Sequence, residues 1–123
     1  MSLSYKKCYF HQPGTAPLIY RNIGQQLDLS AKEFSNVEAV VACSEGKRLT
    51  YTELNAQVSK LGAGFLKLGL KPGDALGIWA PNYLHWYISM LAAARIGLVT
   101  VGINPNFQAS ELKYALNKVK CKI

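Results

Sequence analysis

Acidic and metal-binding side chains are scarce in this sequence. Of its 123 residues only 7 are Asp or Glu, and it contains 2 histidines and 3 cysteines. The cysteines, Cys8, Cys43 and Cys121, form no C-x-x-C pair, and His11 and His85 share no metal-ligand spacing with them. We therefore expect neither a zinc site nor a disulfide framework, and a reducing intracellular compartment is the default. Cys43 lies in an apolar run and is predicted to be a small buried hydrophobe.

Recognisable phosphate-binding loops are also missing. The sequence has no G-x-x-x-x-G-K-[ST] run and no loop rich in Ser, Thr and Gly. Gly62-Ala-Gly64 is a lone G-x-G inside a predicted helix rather than between a strand and a helix. Close approach of another backbone explains these glycines better than a nucleotide does. The residues themselves indicate no catalytic, cofactor-binding or metal-binding site.

Positive charge is in excess, with a formal net charge of +7. Lysines cluster near the two ends of the chain, and no basic stripe is interleaved with aromatic residues. Solvated surface lysines explain this pattern, and we expect no nucleic-acid partner. Binding to nucleic acid or to a membrane surface is the alternative; it rests on charge alone and predicts a steep dependence on salt.

Targeting and membrane signals are weak. The N-terminal residues 1–14 lack the apolar core of a secretory signal, and acidic residues are absent before Asp28, as in mitochondrial transit peptides. That segment nevertheless has little Arg and no amphipathic period. The 20 residues from Ala75 to Ala94 carry no Asp, Glu, Lys or Arg, which is a membrane-spanning length. Because Pro81, Asn82 and His85 interrupt them, we predict a strand, a turn and a helix, and no transmembrane helix.

The first half of the chain predicts a lead-in segment, a helix and a hairpin. Residues 1–21 form the lead-in, and a helix follows to about residue 34, with Asn22 as its N-cap. Two short strands, over residues 37–43 and 48–51, are separated by a turn and predict an edge hairpin. Thr50 and Glu53 then form a capping box. The helix that they open carries one apolar stripe before Gly69 ends it: Leu54, Val58, Leu61, Phe65 and Leu68.

The second half predicts a parallel α/β arrangement. Apolar strands over residues 75–80 and 98–103 alternate with helices over residues 81–96 and 109–119. This order is typical of βαβ units with a parallel sheet. Only four residues follow the last helix, fewer than the usual 5–6 of a strand. We therefore expect residues 22–123 to be the incomplete part of a larger α/β domain.

These elements carry an ordered set of short motifs. The set comprises Arg48-Leu-Thr-Tyr-Thr-Glu-Leu54, Gly64-Phe65, Leu68-Gly69, Lys71-Pro-Gly-Asp74, Pro81-Asn82, Trp86, Leu91-Ala-Ala-Ala94, Gly97, Asn104-Pro105, Glu111, Leu112, Tyr114 and Leu116. Each motif alone is common, but their order and spacing resemble the early portion of the adenylate-forming enzymes, also called AMP-dependent synthetases and ligases. The resemblance covers about residues 18–123. Within that family the chain is most similar to medium-chain fatty acyl-CoA ligases.

The resemblance implies a function for the full-length enzyme. Such an enzyme converts a fatty acid, ATP and coenzyme A into acyl-CoA, AMP and pyrophosphate, with Mg²⁺ bound to the phosphates. It also places the ATP loop, the ribose carboxylate and the catalytic lysine beyond Ile123, so no catalytic, cofactor-binding or metal-binding residue is assigned to this chain. We expect the segment to be inactive by itself and to bind none of these cofactors. The alternative is a non-catalytic module that binds a partner. The resemblance further implies a mitochondrial location, with the cytoplasm as the alternative.

Three polar residues have ordinary structural explanations. His85 lies beside Trp86 in an apolar helix, where a core or interface histidine is expected rather than a catalytic base. Asn104 follows a strand at the position where α/β ligand crevices lie, but a turn-forming Asn accounts for it. Arg95, close to the end of a helix, suits the helix dipole without a substrate.

Overall fold

Four helices and two separate strand pairs make up residues 12–123, the part of the chain that the computed structural model describes. The helices are α1 Ile23–Glu33, α2 Tyr51–Lys67, α3 Leu84–Arg95 and α4 Ala109–Lys118. The strands are β1 Glu38–Ala42, β2 Lys47–Thr50, β3 Ala75–Trp79 and β4 Val99–Ile103. β1 pairs with β2 in an antiparallel hairpin, and β3 pairs with β4 in parallel. The predicted α/β class, the hairpin and the βαβ unit are confirmed.

The first eleven residues lie outside the described part. The interpretation of the N-terminus as a lead-in without a secretory signal therefore falls largely outside it, as do Cys8 and His11. The segment from Gln12 to Asn22 contains no helix or strand. Within residues 12–123, no helix has the length and apolar character needed to cross a membrane.

The core lies between helices α2 and α3 and the parallel strands. Leu54 and Val58 of α2 are 1% and 0% exposed, and Ala92 and Ala93 of α3 are both 0% exposed. Small residues on α3 permit close packing, because their side chains leave room for the larger ones of α2. The predicted stripe on α2 is confirmed at Leu54, Val58 and Phe65 but is wrong at Leu68, which is 68% exposed. Leu68 is the C-cap residue, and Gly69 turns the chain away with a φ of +85°.

The two glycines inside α2 differ. A Cβ on Gly62 would lie 3.3 Å from Cγ2 of Ile96, so a close neighbour is present, but it is a side chain rather than the predicted backbone. A Cβ on Gly64 would meet nothing within 4 Å, so the same prediction is wrong for Gly64. A third close approach has no counterpart in the sequence prediction. A Cβ on Gly24 of α1 would lie 3.2 Å from Cα of Arg95 on α3.

The turn of the hairpin begins one residue earlier than its sequence predicts. Residues Cys43–Glu45 form a short 3-10 turn, and Gly46 closes it with a φ of +62°. Cys43 is exposed, so the prediction of a buried cysteine is wrong. The strand ends at Ala42, and the turn carries the Cys43 side chain out of the hairpin. Cys43 and Cys121 are both free thiols.

Helix α3 begins later than predicted. Its first residue is Leu84 rather than Pro81 or Asn82. The backbone N–H of Tyr83 donates to the carbonyl of Pro81 over 2.7 Å, so these residues form a tight turn before the helix. The interpretation of residues 75–94 as a strand, a turn and a helix is otherwise confirmed.

Strand β3 has hydrogen-bonding neighbours on both sides near its start. β4 pairs with it from Ala75↔Val99 to Trp79↔Ile103. On the other side, Lys122 N–H donates to the Ala75 carbonyl over 2.9 Å, and Gly77 N–H donates to the Ile123 carbonyl over 2.8 Å. These two bonds advance in the same direction along both segments, as in a parallel pair. A Cβ on Gly77 would lie 3.1 Å from Sγ of Cys121, so this close approach requires glycine.

Candidate functional site

The carboxyl edge of the β3–β4 pair is the position at which parallel α/β sheets usually bind ligands. Trp79 ends β3 there with half of its surface exposed, and its Nε1–H donates to the Asn104 carbonyl over 3.1 Å. Oδ1 of Asn104 accepts from the backbone N–H of Asn106 over 3.0 Å, which confirms the predicted turn-forming asparagine. The loops that follow the two strands, residues 80–83 and 104–107, contain no charged side chain. The two loops themselves can offer apolar contacts and hydrogen bonds, but no charged group.

The chain's carboxylates are engaged in local structure. Six of the seven make a hydrogen bond to a backbone N–H or to an arginine: Asp28 with Arg95, Glu38 with Arg48, Glu45 with Leu84, Glu53 with Thr50, Asp74 with Lys71, and Glu111 with Gln108. Within residues 12–123, no group of three or more His, Cys, Asp or Glu side chains is placed to hold a metal ion. These carboxylates cap helices, close turns and form ion pairs. The side chains described here do not fit a magnesium–nucleotide site.

Glu45 caps helix α3 although it lies 39 residues before Leu84 in the sequence. The N-cap residue of α3, Tyr83, makes no side-chain cap hydrogen bond. Instead, Oε1 of Glu45 accepts from Leu84 N–H over 2.6 Å, and Oε2 accepts from Lys47 Nζ over 3.1 Å. The Leu84 amide, followed by Lys47, lowers the pKa of the Glu45 carboxyl. Because 39 residues separate Glu45 from Leu84, no local sequence signal identifies this cap.

His85 occupies the first turn of α3 and is exposed. Its placement in the core was therefore wrong, and the interface alternative stays a prediction. The buried face of α3 includes Leu84, Ile88 and Leu91. His85 follows Leu84 in the sequence and lies on another face of the helix. Its positive charge, when present, would favour the nearby Glu45 carboxylate. Among residues 12–123, no side-chain hydrogen bond joins His85 to a carboxylate or a hydroxyl group.

Arg95 connects three helices. It lies in the last turn of α3, as predicted, and its side chain is only 16% exposed. Nη2 is 2.8 Å from Oδ1 of Asp28 on α1 and 2.6 Å from Oδ1 of Asn55 on α2, and Nη1 donates to the Ser59 hydroxyl. Nε is buried, and no group of the described residues 12–123 accepts a hydrogen bond from it. Arg95 therefore has a structural role that extends well beyond the helix dipole.

An apolar groove of about 370 Å³ runs between the lead-in segment and the three helices. We call it the α1 groove. Its floor includes Leu27 and Leu91, each 7% exposed, and its rim includes Arg21. Its full lining is Ile19, Arg21, Asn22, Ile23, Gln26, Leu27, Ser30, Tyr51, Tyr87 and Leu91. No local sequence pattern predicts this groove, because its walls come from segments that are far apart in the chain.

Comparison with known proteins identifies the family. A sequence model described as "AMP-binding enzyme" matches residues 27–123, most of the chain. The chain belongs to this family. The resemblance drawn from the ordered motifs is confirmed.

Curated relatives of this chain include acyl-CoA ligases. A rat protein named medium-chain acyl-CoA ligase ACSF2, mitochondrial, is 43% identical over 105 residues, which cover 85% of this chain and 17% of the relative. A putative acyl-CoA synthetase of Bacillus subtilis, YngI, is 35% identical over 103 residues, or 84% of this chain and 19% of the relative. The chain thus spans less than a fifth of the length of these relatives.

Solved structures agree with the fold. The N-terminal domain of FACL13 from Mycobacterium tuberculosis superposes with a TM-score of 0.80 at 29% identity, covering 84% of this chain and 26% of that structure. A fatty acyl-CoA synthetase from the same organism gives a TM-score of 0.79 at 30% identity, covering 82% of this chain and 20% of that structure. The chain therefore has the α/β fold of the N-terminal part of acyl-CoA ligases.

Proposed function

We propose that this chain is the N-terminal part of an acyl-CoA synthetase, and that these 123 residues do not catalyse the reaction by themselves. The full enzyme would join a fatty acid to coenzyme A, with cleavage of ATP to AMP and pyrophosphate. The observation that carries this proposal is the family match over residues 27–123. The chain covers less than a fifth of the length of the acyl-CoA ligases that it resembles. ATP, Mg²⁺, coenzyme A and the fatty acid would then bind mainly to parts of the enzyme outside this chain.

The engaged carboxylates support the inactivity of the isolated segment. Mg²⁺ prefers oxygen ligands, chiefly carboxylates, and adenylate formation requires the phosphate charge to be stabilised. Six of the seven acidic side chains are already bonded to backbone amides or arginines, and the loops at the carboxyl edge of β3 and β4 carry no charge. No residue of this chain is assigned a catalytic, cofactor-binding or metal-binding role.

The domain division and the location belong to the same proposal. Residues 1–21 would be a lead-in, and residues 22–123 the first part of a larger α/β subdomain. The location would be mitochondrial, as in the name of the rat relative, with the cytoplasm as the alternative. Fractionation of the source cells, followed by detection of peptides from this chain, separates the two compartments.

Two measurements test the proposal. Peptide mass spectrometry and long-read transcript sequencing should find the chain continuing into a Ser/Thr/Gly-rich loop. Pyrophosphate release should be measured with the purified 123 residues, ATP, Mg²⁺ and octanoate, beside a longer chain if one is found. We expect no release above the blank from the short chain. Adenylate formation by the 123 residues would refute their inactivity, and a longer product without acyl-CoA ligase activity would refute the assigned reaction.

A further inference from the structure

Five lysines lie at the edge of the sheet where strands β3 and β4 begin. Helices that connect parallel strands run opposite to them, so α2 and α4 end at this edge. Gly73 N–H donates to the Gly97 carbonyl over 2.8 Å, and Lys122 N–H donates to the Ala75 carbonyl over 2.9 Å. These bonds join the turns before β3 and β4 to the residues after α4. We call this surface the basic edge, and its lysines, all exposed, are Lys67, Lys71, Lys118, Lys120 and Lys122.

The charge of the basic edge is largely uncompensated. The three ion pairs found in residues 12–123 involve Lys47, Arg48 and Arg95, and none of the five lysines. The acidic residue of this edge is Asp74, whose carboxylate accepts the backbone N–H of Lys71 over 2.8 Å. Five lysines against one aspartate leave a local charge of +4, which is more than half of the net charge of +7.

Aliphatic side chains are exposed beside these lysines. Leu68 follows α2 and is 68% exposed, Val99 begins β4 and is 53% exposed, and Val119 follows α4 and is 39% exposed. Lysines mixed with exposed aliphatic residues are typical of protein surfaces that lie on an anionic bilayer. Sites for single-stranded nucleic acid instead stack the bases on aromatic rings. The composition of the basic edge therefore favours lipid over nucleic acid.

Lys120 adopts a backbone conformation that glycine usually provides. Its φ is +52°, and no other non-glycine residue in the part of the chain that the structure describes has a positive φ. It follows Val119, the C-cap of α4, at the position where many helices end with a left-handed glycine. Glycine would be more favourable there, because it has no Cβ to strain the backbone. A lysine at this position points to a role of its charge outside folding.

We infer that the basic edge binds the surface of an anionic lipid bilayer. The lysine ammonium groups would lie at the lipid phosphates, and Leu68, Val99 and Val119 would enter the headgroup layer. Attraction to the negative surface acts on each lysine, and removal of apolar surface from water adds to it. The chain would lie on the bilayer without crossing it. This inference goes beyond the proposed reaction and does not depend on it, because lipid binding requires neither ATP nor coenzyme A.

The inference is tested by co-sedimentation of the 123-residue chain with vesicles of equal parts phosphatidylglycerol and phosphatidylcholine. We expect saturable binding that weakens as the salt concentration rises, because salt screens the attraction between exposed charges. Vesicles of phosphatidylcholine alone should bind the chain much more weakly, since they carry no net charge.

Charge variants locate the binding surface. Lys120→Gln should weaken binding to the anionic vesicles about fivefold, and the double variant with Lys122→Gln about 25-fold, since each lysine contributes about a factor of five. Lys32→Gln is the matched control and should leave binding unchanged. Lys32 lies in the last turn of α1, two residues before Phe34, whose ring is 6.1 Å from that of Tyr51 at the start of α2. It is therefore at the opposite end of α2 from the basic edge.

Further variants separate lipid binding from folding. Lys120→Gly should raise the melting temperature, because glycine suits the positive φ, and yet weaken binding about fivefold. Lys120→Arg keeps the charge and should keep the binding. Leu68→Ala should weaken binding about tenfold, because less apolar surface enters the bilayer.

Several outcomes would overturn the inference. Equal binding to charged and uncharged vesicles would remove the role of the lysines, as would equal effects of Lys120→Gln and Lys32→Gln. Unchanged binding of Leu68→Ala would show that no part of the basic edge enters the bilayer. Tighter binding to a duplex oligonucleotide than to the anionic vesicles, at the same salt concentration, would assign this surface to nucleic acid instead.

Discussion

Arg95 and Asp28 form an ion pair of 2.8 Å across 67 residues of sequence. The arginine ends α3 and the aspartate belongs to α1, so this contact fixes the two helices together. It lies beside the close approach of Gly24 to the backbone of Arg95. The carbonyl and side chain of Asn55 and the hydroxyl of Ser59 bring α2 into the same network. One side chain thereby determines how three helices meet.

Arg95→Ala should destabilise the fold by about 2–3 kcal/mol, because it leaves partly buried hydrogen-bonding groups of α1 and α2 without their charged partner. Arg48→Ala is the matched control. Its ion pair with Glu38 is exposed, with the Arg48 side chain at 63%, and should be worth less than about 1 kcal/mol. Urea unfolding followed by circular dichroism measures both. Equal losses for the two variants would show that Arg95 contributes no more than a surface charge.

Leu54→Ala should lower the free energy of unfolding by about 2–5 kcal/mol, the usual range for a leucine deletion in a packed core. Leu54 is 1% exposed and belongs to the main apolar cluster. Leu68→Ala, at a leucine that is 68% exposed, should change the same quantity by less than about 0.5 kcal/mol. A large loss at Leu68 in urea unfolding would contradict its exposed position after α2.

The two glycines of α2 should respond differently to alanine. Gly64→Ala should stabilise the fold by about 0.5–1 kcal/mol, because the new methyl group meets open space and alanine is the better helix former. Gly62→Ala should gain less, since its methyl group would lie 3.3 Å from Ile96 and that side chain must shift. Thermal melts of the two variants compare them directly. A larger gain at Gly62 would show that α2 and α3 are not in close contact.

Glu45→Gln should lower the melting temperature at neutral pH, because the capping carboxylate of α3 loses its charge. The hydrogen bond from the Leu84 amide lowers the pKa of the Glu45 carboxyl in the folded state below its ordinary value. The resulting stabilisation is therefore present above about pH 4.5 and is lost as the pH falls through the folded-state pKa. Melting temperatures should differ between the original chain and the variant at pH 7, and should converge as the pH falls through the folded-state pKa of Glu45.

The comparison with Glu45→Gln also controls for other carboxyls. The Thr50 amide likewise lowers the pKa of Glu53. Glu53 is present in both proteins, so its effect on the melting temperature cancels when the two are subtracted. A melting temperature of the Glu45→Gln variant equal to that of the original chain at pH 7 would show that the Glu45 charge does not stabilise α3.

Local signals predicted most of the fold. The predicted N-cap at Asn22 and the predicted capping box of Thr50 and Glu53 place the starts of α1 and α2 correctly, because such caps involve residues only a few positions apart. Alternation of apolar strands and helices predicted the parallel pair β3–β4. The beginning of α3 was misplaced because its cap comes from Glu45, a residue that no local pattern connects to Leu84.

Burial and the candidate sites were harder to predict, because they depend on how distant elements meet. An apolar run suggested a buried Cys43, and an apolar neighbourhood suggested a core His85, yet both side chains are exposed. The contacts of Arg95 with α1 and α2 and the α1 groove arise only when three helices pack together. A sequence period identifies the face of a helix but not the partner against which it packs.

The hydrogen bonds of Lys122 and Ile123 to β3 cover one edge of that strand. They occupy the Ala75 carbonyl and the Gly77 amide, which would otherwise lie on an open strand edge. Without residues 121–123, both groups and the glycine surface that Cys121 now covers would be exposed. An uncovered edge of this kind offers a template for pairing with another molecule. Residues 121–123 therefore cover an edge of β3 at which a second strand could otherwise pair.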